Sequence, residues 1–230
     1  MKPHEREAYK RAAALEAVGL VESGATIGLG TGSTVAHLLH ALARRIDHEG
    51  LQIRAVPTSR PTAVQARALG IPLVSMSEVD RIDLALDGAD EVDLGYAMIK
   101  GGGGALLREK IVAAASDRVA ILVDDAKLVQ VLGAFPLPVE VVPFGLRPFL
   151  SAMAEMGVDA TVRQQAGQPF VTDGGHWIAD CAFGEIFDPP GLHARLLQIP
   201  SVVETGLFID LVSTLIVGGP DGVRTIDTRG

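Results

Sequence analysis

The residues best suited to chemistry lie between Asp87 and Lys110, in the stretch DGADEVDLGYAMIKGGGGALLREK. Asp87 and Asp90 stand three apart, separated only by Gly88 and Ala89, so a tight turn can aim both carboxylates into one crevice. Such a pair can orient hydroxyls, transfer protons, or hold Mg²⁺ together with a substrate phosphate. Lys100 then precedes four glycines, Gly101, Gly102, Gly103 and Gly104. A cation beside a run of backbone N–H groups is equipped for an anion. Glu109 follows about one turn into what reads as a helix, flanked by Arg108 and Lys110. Acid, base and donors are packed here with little bulk between them, which suits a site for a small anionic substrate better than a core. Taken singly, the same residues also fit a solvated acidic turn and an ordinary helix surface. Glu91 and Asp93 are expected to face solvent.

A second glycine segment, GLGTGST at 28–34, follows an apolar run and opens a helix. Glycines let backbone approach a ligand, and N–H groups at a helix start favour phosphate. Thr31, Ser33 and Thr34 add hydroxyls around Gly32. The dinucleotide fingerprint is not met, because Ser33 stands where its third glycine belongs, and no Lys-Ser/Thr completes a P-loop. A phosphate or sugar loop and a tight turn with a hydroxyl cap both fit this segment. Lys127, in VDDAK, is a surface lysine by default. His37 and His40 are spaced for one helix face but have no third ligand nearby, and His176 and His193 are isolated in sequence. No metal site is expected. The nucleophile motif G-x-S-x-G is absent.

These segments must be positioned by regular elements. Residues 4–22 read as a helix with Leu15, Val18 and Val21 among its apolar positions. ATIGLG (25–30) reads as a strand, and Thr34–Ile46 as an amphipathic helix with Val35, Leu38, Leu39 and Leu42 on one face. Further strands are expected at 53–57, 71–74, 82–87 and 119–124. Helices are expected between Pro61 and Gly70 and from Ala105 to Ala115. Short apolar strands alternating with helices imply a mostly parallel sheet covered on both faces. In such sheets ligands bind beyond the carboxyl ends of the strands. Gly28–Thr34, Asp87–Asp90 and Asp124–Lys127 each fall there.

The pattern changes near 133, at the proline-rich GAFPLPVEVVPF, which reads as a linker and a strand. A helix (147–156), strands (160–164, 169–172, 176–182), a helix (190–198) and a strand (201–207) follow. With the short middle strand left aside, this is the βαββαβ order of a small split-βαβ, ferredoxin-like domain. LIVGG (215–219) and VRTID (223–227) are expected to return to the first sheet. The fold class is therefore α/β: a Rossmann-like, mostly parallel domain (1–132 and 208–230) plus a smaller α+β domain (133–207).

Composition excludes several functions. The formal net charge of −8 argues against nucleic acid, and no Lys/Arg run suits an anionic membrane. A chain that is 48% hydrophobic and 21% charged is expected to fold around a core. No apolar run nears the roughly 18 residues of a membrane span. Cys181 is the single cysteine, so no intramolecular disulfide forms, which fits a reducing compartment. It lies in the apolar run WIADCAF and reads as a small buried hydrophobe. The charged N-terminal residues are unlike a signal peptide, and a cytoplasmic location is expected.

Taken together, GLGTGST (28–34), DGAD (87–90), IKGGGGALLREK (99–110), VDDAK (123–127), FPLPVEV (135–141) and GGPDGVRTI (218–226) resemble the type A family of ribose-5-phosphate isomerases. The likeness spans most of the chain, in order. It is specific because several motifs carry it jointly. Sugar-phosphate regulators and CoA transferases share the strand–glycine loop without the whole set. The resemblance implies interconversion of D-ribose 5-phosphate and D-ribulose 5-phosphate in the non-oxidative pentose phosphate pathway, through an enediolate and without a cofactor. It implies Glu109 as catalytic base, with Asp87 and Lys100 catalytic beside it. It implies substrate binding by Thr31, Gly32, Ser33, Thr34, Asp87, Gly88, Ala89, Asp90, Lys100, Gly101, Gly102, Gly103 and Lys127, and more weakly by Lys10. A homodimer or homotetramer is implied as well. One departure is Val212-Ser213, where family members commonly carry Ala-Asp. The alternatives are a non-catalytic sugar-phosphate sensor of the same fold and an isomerase of another phosphosugar. A sensor of that kind would bring a DNA-binding helix-turn-helix and a basic patch, and the residues before Ala25 offer no room for one.

Overall fold

The structure is a computed structural model that describes residues 3–229. Met1, Lys2 and Gly230, which fall inside the expected bounds of the larger domain, lie outside the described residues. The chain forms two compact units. One comprises the residues up to Ala89, Arg108–Lys127 and those from Leu211 on; the other comprises Asp90–Leu107 and Leu128–Asp210.

Along the chain, the first unit begins with α1 (Pro3–Val18), β1 (Thr26–Leu29), α2 (Ser33–Glu49), β2 (Arg54–Pro57), α3 (Arg60–Ala68) and β3 (Ile82–Gly88). After the short strands β4 (Glu91–Val92) and β5 (Met98–Ile99) of the second unit come α4 (Leu106–Ala114) and β6 (Ser116–Asp124). The second unit continues with β7 (Leu137–Val141), α5 (Leu146–Glu155), β8 (Asp159–Val162), β9 (Gln164–Gln165), β10 (Gln168–Pro169), β11 (Trp177–Ala182), α6 (Pro189–Leu197), β12 (Val202–Thr205) and β13 (Leu207–Phe208). The hairpin β14 (Thr214–Gly219) and β15 (Gly222–Asp227) completes the first unit.

The first unit is built on a six-stranded sheet in the order β15-β14-β6-β3-β1-β2. All neighbours are parallel except the β14–β15 pair. β1 is buried along its whole length, as a continuous apolar run in a doubly covered sheet must be. α2 lays Val35, Leu38, Leu39 and Leu42 into the core, the stripe read from the sequence, and Gly50 closes the helix in the left-handed region. Ser59 caps α3 by accepting from the Thr62 N–H, with Pro61 in the first turn.

Three expectations are corrected. α1 ends at Val18 and not at 22, and it buries Ala13, Ala14 and Ala17 while Leu15 is half exposed. Small residues are used because β14 runs close beneath: a Cβ at Gly218 would collide with the Tyr9 carbonyl. The strand expected at 71–74 is reduced to a single bridge between Ala55 and Leu73. Pro72 lacks the N–H that a longer ladder would use. Glu91 does not face solvent. It is 5% exposed, and its carboxylate accepts from the Gly133 N–H at 2.7 Å and the Phe135 N–H at 2.6 Å.

The second unit centres on a four-stranded antiparallel sheet in the order β12-β7-β11-β8, with α5 and α6 as its helices. Leu137, Val139 and Val141 point from β7 into a core with Phe149, Met153, Ala179, Cys181 and Leu196. A separate ladder joins β13, β5 and β4. That ladder draws Asp90–Leu107 into this unit, whereas the expected bounds had 1–132 in the larger domain. Two histidines bond to partners in this unit. His176 Nδ1 bonds Glu140 Oε1 at 2.9 Å, and His193 Nδ1 bonds Thr205 Oγ1 at 2.8 Å. Ser213, the departure in the second half, ties β14 to β6 by exchanging hydrogen bonds with both backbone groups of Val119.

Candidate active site

In the first unit the carboxyl ends of β1, β2, β3, β6 and β14 lie along one sheet edge, since these strands are parallel. The chemistry-bearing residues collect there. Gly30 follows β1, and any Cβ on it would overlap the Asp87 carboxylate. This glycine is therefore required for Asp87, at the end of β3, to reach the loop. Asp87 is 6% exposed, and its Oδ1 accepts from the Thr31 N–H at 3.1 Å and the Gly88 N–H at 2.8 Å. Gly32 precedes α2 with φ 124°, a backbone state that disfavours side chains.

Thr31 anchors a chain of hydroxyls. Its Oγ1 donates to Ser59 Oγ at 2.8 Å, so the 2.9 Å contact with Thr58 Oγ1 has Thr58 as donor. Ser59 Oγ donates to Thr62 Oγ1 at 3.0 Å, and Thr62 Oγ1 donates to the Gly30 carbonyl at 2.8 Å. Thr58, Ser59 and Thr62 are all buried, and they fix the shape of the 30–32 loop from beneath. Sequence reasoning missed these three. The signal was present, since TSRPT follows β2 just as GTGST follows β1.

Lys10 of α1 reaches this loop and donates to Ser33 Oγ at 3.0 Å. It also pairs with Glu7 at 2.7 Å, and Glu7 bonds His37 Nε2 at 3.0 Å. Lys10, and then His37, hold the Glu7 carboxyl below the usual carboxylate range. Arg6 is pinned by the buried Asp124 through contacts of 3.1 Å to both oxygens. Ser33 and Thr34 open α2. Lys127 ends a short 3₁₀ turn directly after β6 and is half-buried.

Glu109 lies in α4, only 4% exposed. A Cβ on Gly28 would strike Val112, so α4 crosses β1 at closest approach there. A helix linking two parallel strands runs back against them. Glu109, one turn before Val112, is thereby displaced towards the strand ends that carry Thr31 and Asp87.

The second unit holds the other predicted residues. Lys100 is 3% exposed, its backbone N–H bonds the Gly206 carbonyl at 2.8 Å, and its ammonium stands 5.2 Å from the Phe208 ring centroid. Asp90 Oδ2 accepts from the Gly102 N–H at 2.7 Å, so Asp90 holds the glycine loop's shape. Gly101 and Gly104 have φ of 104° and 79°, and a Cβ at Gly104 would enter the Phe170 ring. Arg163 braces the loop by donating to the Gly101 carbonyl at 2.7 Å and the Gly102 carbonyl at 3.2 Å. Asp180 fixes Arg163 in turn, with 2.9 Å to Nε. Arg163, Asp180 and Phe208 had no local sequence signal, because their partners are far away along the chain. Gly88 ends β3, Ala89 follows it, and Gly103 lies in the loop before α4. Among the described residues, no group of three or more His, Cys, Asp or Glu is gathered as a metal site would need.

The whole is an α/β protein with buried carboxylates and hydroxyl loops at the carboxyl edge of a parallel sheet, the arrangement of a small-molecule enzyme. The family model for ribose 5-phosphate isomerase A (phosphoriboisomerase A) matches residues 54–222. The chain is 50% identical to ribose-5-phosphate isomerase A of Rhodopseudomonas palustris strain TIE-1, with 97% of this chain and 99% of the relative covered. It is 42% identical to the solved ribose 5-phosphate isomerase A of Methanocaldococcus jannaschii, at a TM-score of 0.92 over 96% of this chain and 99% of that one. A solved D-ribose-5-phosphate isomerase in complex with phospho-erythronic acid is 37% identical, at a TM-score of 0.94 over 96% and 99%. The chain belongs to the ribose 5-phosphate isomerase A family, and it is an isomerase by that membership. Among the described residues, no helix is long and apolar enough to cross a membrane.

Proposed function

We propose that this protein interconverts D-ribose 5-phosphate and D-ribulose 5-phosphate through an enediolate, as an enzyme of the non-oxidative pentose phosphate pathway. The observation that carries the reading is the buried Glu109, displaced along α4 towards the strand ends where Asp87 and the Thr31 loop lie. Aldose–ketose isomerisation moves one proton between C2 and C1. A single carboxylate can take it from one carbon and return it to the other, and Glu109 has that role. The oxygen that becomes negative needs donors already in position. Lys100, Lys127 and the N–H groups of Gly101–Gly103 have the right chemistry for it.

Asp87 assists ring opening by proton transfer, and Asp90 adds a carboxylate for sugar hydroxyls. Gly88 and Ala89 bring backbone groups to the substrate. The phosphate belongs to Thr31–Thr34, with Lys10 supplying a positive charge beside Ser33. The phospho-erythronic acid named in the complex of the 37% identical enzyme combines a phosphate, hydroxyls and a carboxylate. These are the three group types that the residues above are equipped to hold. The larger, Rossmann-like domain, which carries Glu109 and Asp87, is the catalytic one in this reading. No cofactor enters the reaction. The protein works in the cytoplasm as a homodimer or homotetramer.

The test uses purified protein treated with EDTA, mixed with ribose 5-phosphate, with ribulose 5-phosphate followed over time. Turnover that survives EDTA is expected. Absence of turnover would sink the isomerase reading, and loss of turnover on chelation would sink its metal-free form.

A further inference from the structure

A hydroxyl carries one proton, so a chain of hydroxyls has a direction. In the first unit the direction runs from Thr58 to Thr31, on to Ser59 and Thr62, and ends at the Gly30 carbonyl. Thr31 stands second in that chain. Its hydroxyl proton goes to Ser59 Oγ, and its backbone N–H goes to Asp87 Oδ1. The 3.3 Å approach of its oxygen to Thr62 Oγ1 adds no donor, since the Thr62 proton goes to Gly30. Both donors of Thr31 are therefore taken by the protein itself.

A phosphate is bound through donors. Within GTGST these fall on the residues after Thr31. The N–H groups that open α2 gain no cap from Gly32, which has no side chain. Ser33 Oγ accepts from Lys10, an arrangement that does not use the proton of Ser33. Thr34 adds a further hydroxyl.

The hydroxyls beneath the loop are costly as mere filling. Thr58, Ser59 and Thr62 are 1%, 5% and 4% exposed, and apolar side chains there would need no partners. What the hydroxyls supply is a fixed loop. Thr31 lies between Gly30 and Gly32, where the backbone itself resists little. The chain ties down the Thr31 side chain and the Gly30 carbonyl together. A loop set before the ligand arrives does not have to be ordered on binding.

We infer that Thr58, Thr31, Ser59 and Thr62 act as one positioning unit for the substrate phosphate. They hold the 30–32 loop in the shape that offers the first N–H groups of α2, Ser33 and Thr34, and Thr31 gives the phosphate no hydrogen bond of its own. The inference rests on the reading of this loop as the phosphate site.

Titration calorimetry with ribose 5-phosphate tests it on the parent, Thr31→Val, Ser59→Ala, the double variant of these two, and Thr62→Ser. Affinity is read per binding-competent molecule, so a purely structural loss lowers the stoichiometry and the melting temperature and leaves Kd alone. Each single variant that breaks the chain is expected to weaken binding about tenfold, and the double variant about tenfold as well, because both changes interrupt the same chain. Thr62→Ser keeps the hydroxyl and is expected to bind within about twofold of the parent. In the isomerase assay the chain-breaking variants should raise KM by about the same factor, with kcat changed less than about threefold. Ser59 also caps α3, so Thr58→Val combined with Thr31→Val repeats the comparison with that cap intact. A loss of about a hundredfold in the double variants would make Thr31 an independent donor to the phosphate and overturn the inference. Unchanged or tighter binding by Ser59→Ala, or a lowered stoichiometry with unchanged Kd, would overturn it too. A parent that binds ribose 5-phosphate without turning it over would sink the isomerase reading and leave the comparison of single and double variants to decide the unit. A parent that does not bind it would overturn the phosphate reading and this inference together.

Discussion

Buried carboxylates occur in both units, and their surroundings differ. In the second unit, both Glu91 oxygens accept backbone N–H groups, and Glu140 accepts from Thr172 and His176. These groups are spent on holding loops to strands. In the first unit, Asp87 and Glu109 lie towards the carboxyl edge of a parallel sheet, beside its strand-end loops. Burial alone therefore does not mark a catalytic acid. A carboxylate whose oxygens are both taken by backbone stabilises the fold, whereas one towards the carboxyl edge of a parallel sheet lies where such folds bind their ligands.

Substitutions in the two regions should fail differently, and the largest difference is at Glu109. Glu109→Gln is expected to cut kcat by about 10²–10⁴-fold, read in the isomerase assay, with the melting temperature barely changed. Glu91→Gln is its counterpart. An amide there turns one acceptor into a donor facing a buried N–H, which costs about 1–3 kcal/mol in urea unfolding, while kcat per folded molecule stays near that of the parent. Arg163→Met lies between the two kinds. It frees the Gly101 and Gly102 carbonyls and is expected to lower kcat/KM by about 10–10²-fold through misplacement of Lys100. A melting temperature that falls while kcat/KM holds would make the brace purely structural.

Smaller effects follow from two titrating groups. Burial pushes the Cys181 thiol up to about 12, so it stays protonated and unreactive. Alkylation by iodoacetamide at pH 8 should be negligible until the protein unfolds. A folded pKa above the unfolded one leaves stability intact below the ordinary thiol range and erodes it as pH climbs towards 12, so Cys181→Ala should flatten that loss. The least effect is expected at Glu7. Its lowered pKa contributes stability that is present above the ordinary carboxylate range and is lost as pH falls through the lowered value. Because Glu7 is half exposed, the difference between parent and Glu7→Gln should be small at pH 7 and should vanish in acid.

The two units also differ in how much of them the sequence discloses. The parallel sheet, the α2 stripe and the glycine loop at 28–34 are local patterns, readable from apolar periodicity and glycine spacing. The resemblance to a family pointed to Glu109, which no local rule separates from a solvated helix glutamate. The bracing groups escaped because their partners are remote. Arg163 meets Asp180 seventeen residues on, and Glu91 meets Gly133 forty-two residues on. Glu91 reads as solvent-facing in the sequence, whereas the β4–β5–β13 ladder draws it inward. The 71–74 strand failed because a proline inside an apolar run limits the ladder it can join.

The most direct test of the central claim follows the proton itself. Ribulose 5-phosphate is incubated in D₂O with the parent, Glu109→Gln and Glu91→Gln, and deuterium at C1 is read by NMR. The parent should exchange rapidly, Glu91→Gln in proportion to its folded fraction, and Glu109→Gln at a rate near that of the solution without enzyme. Rapid exchange by Glu109→Gln, or its loss in fully folded Glu91→Gln, would contradict the division between the two kinds of buried carboxylate.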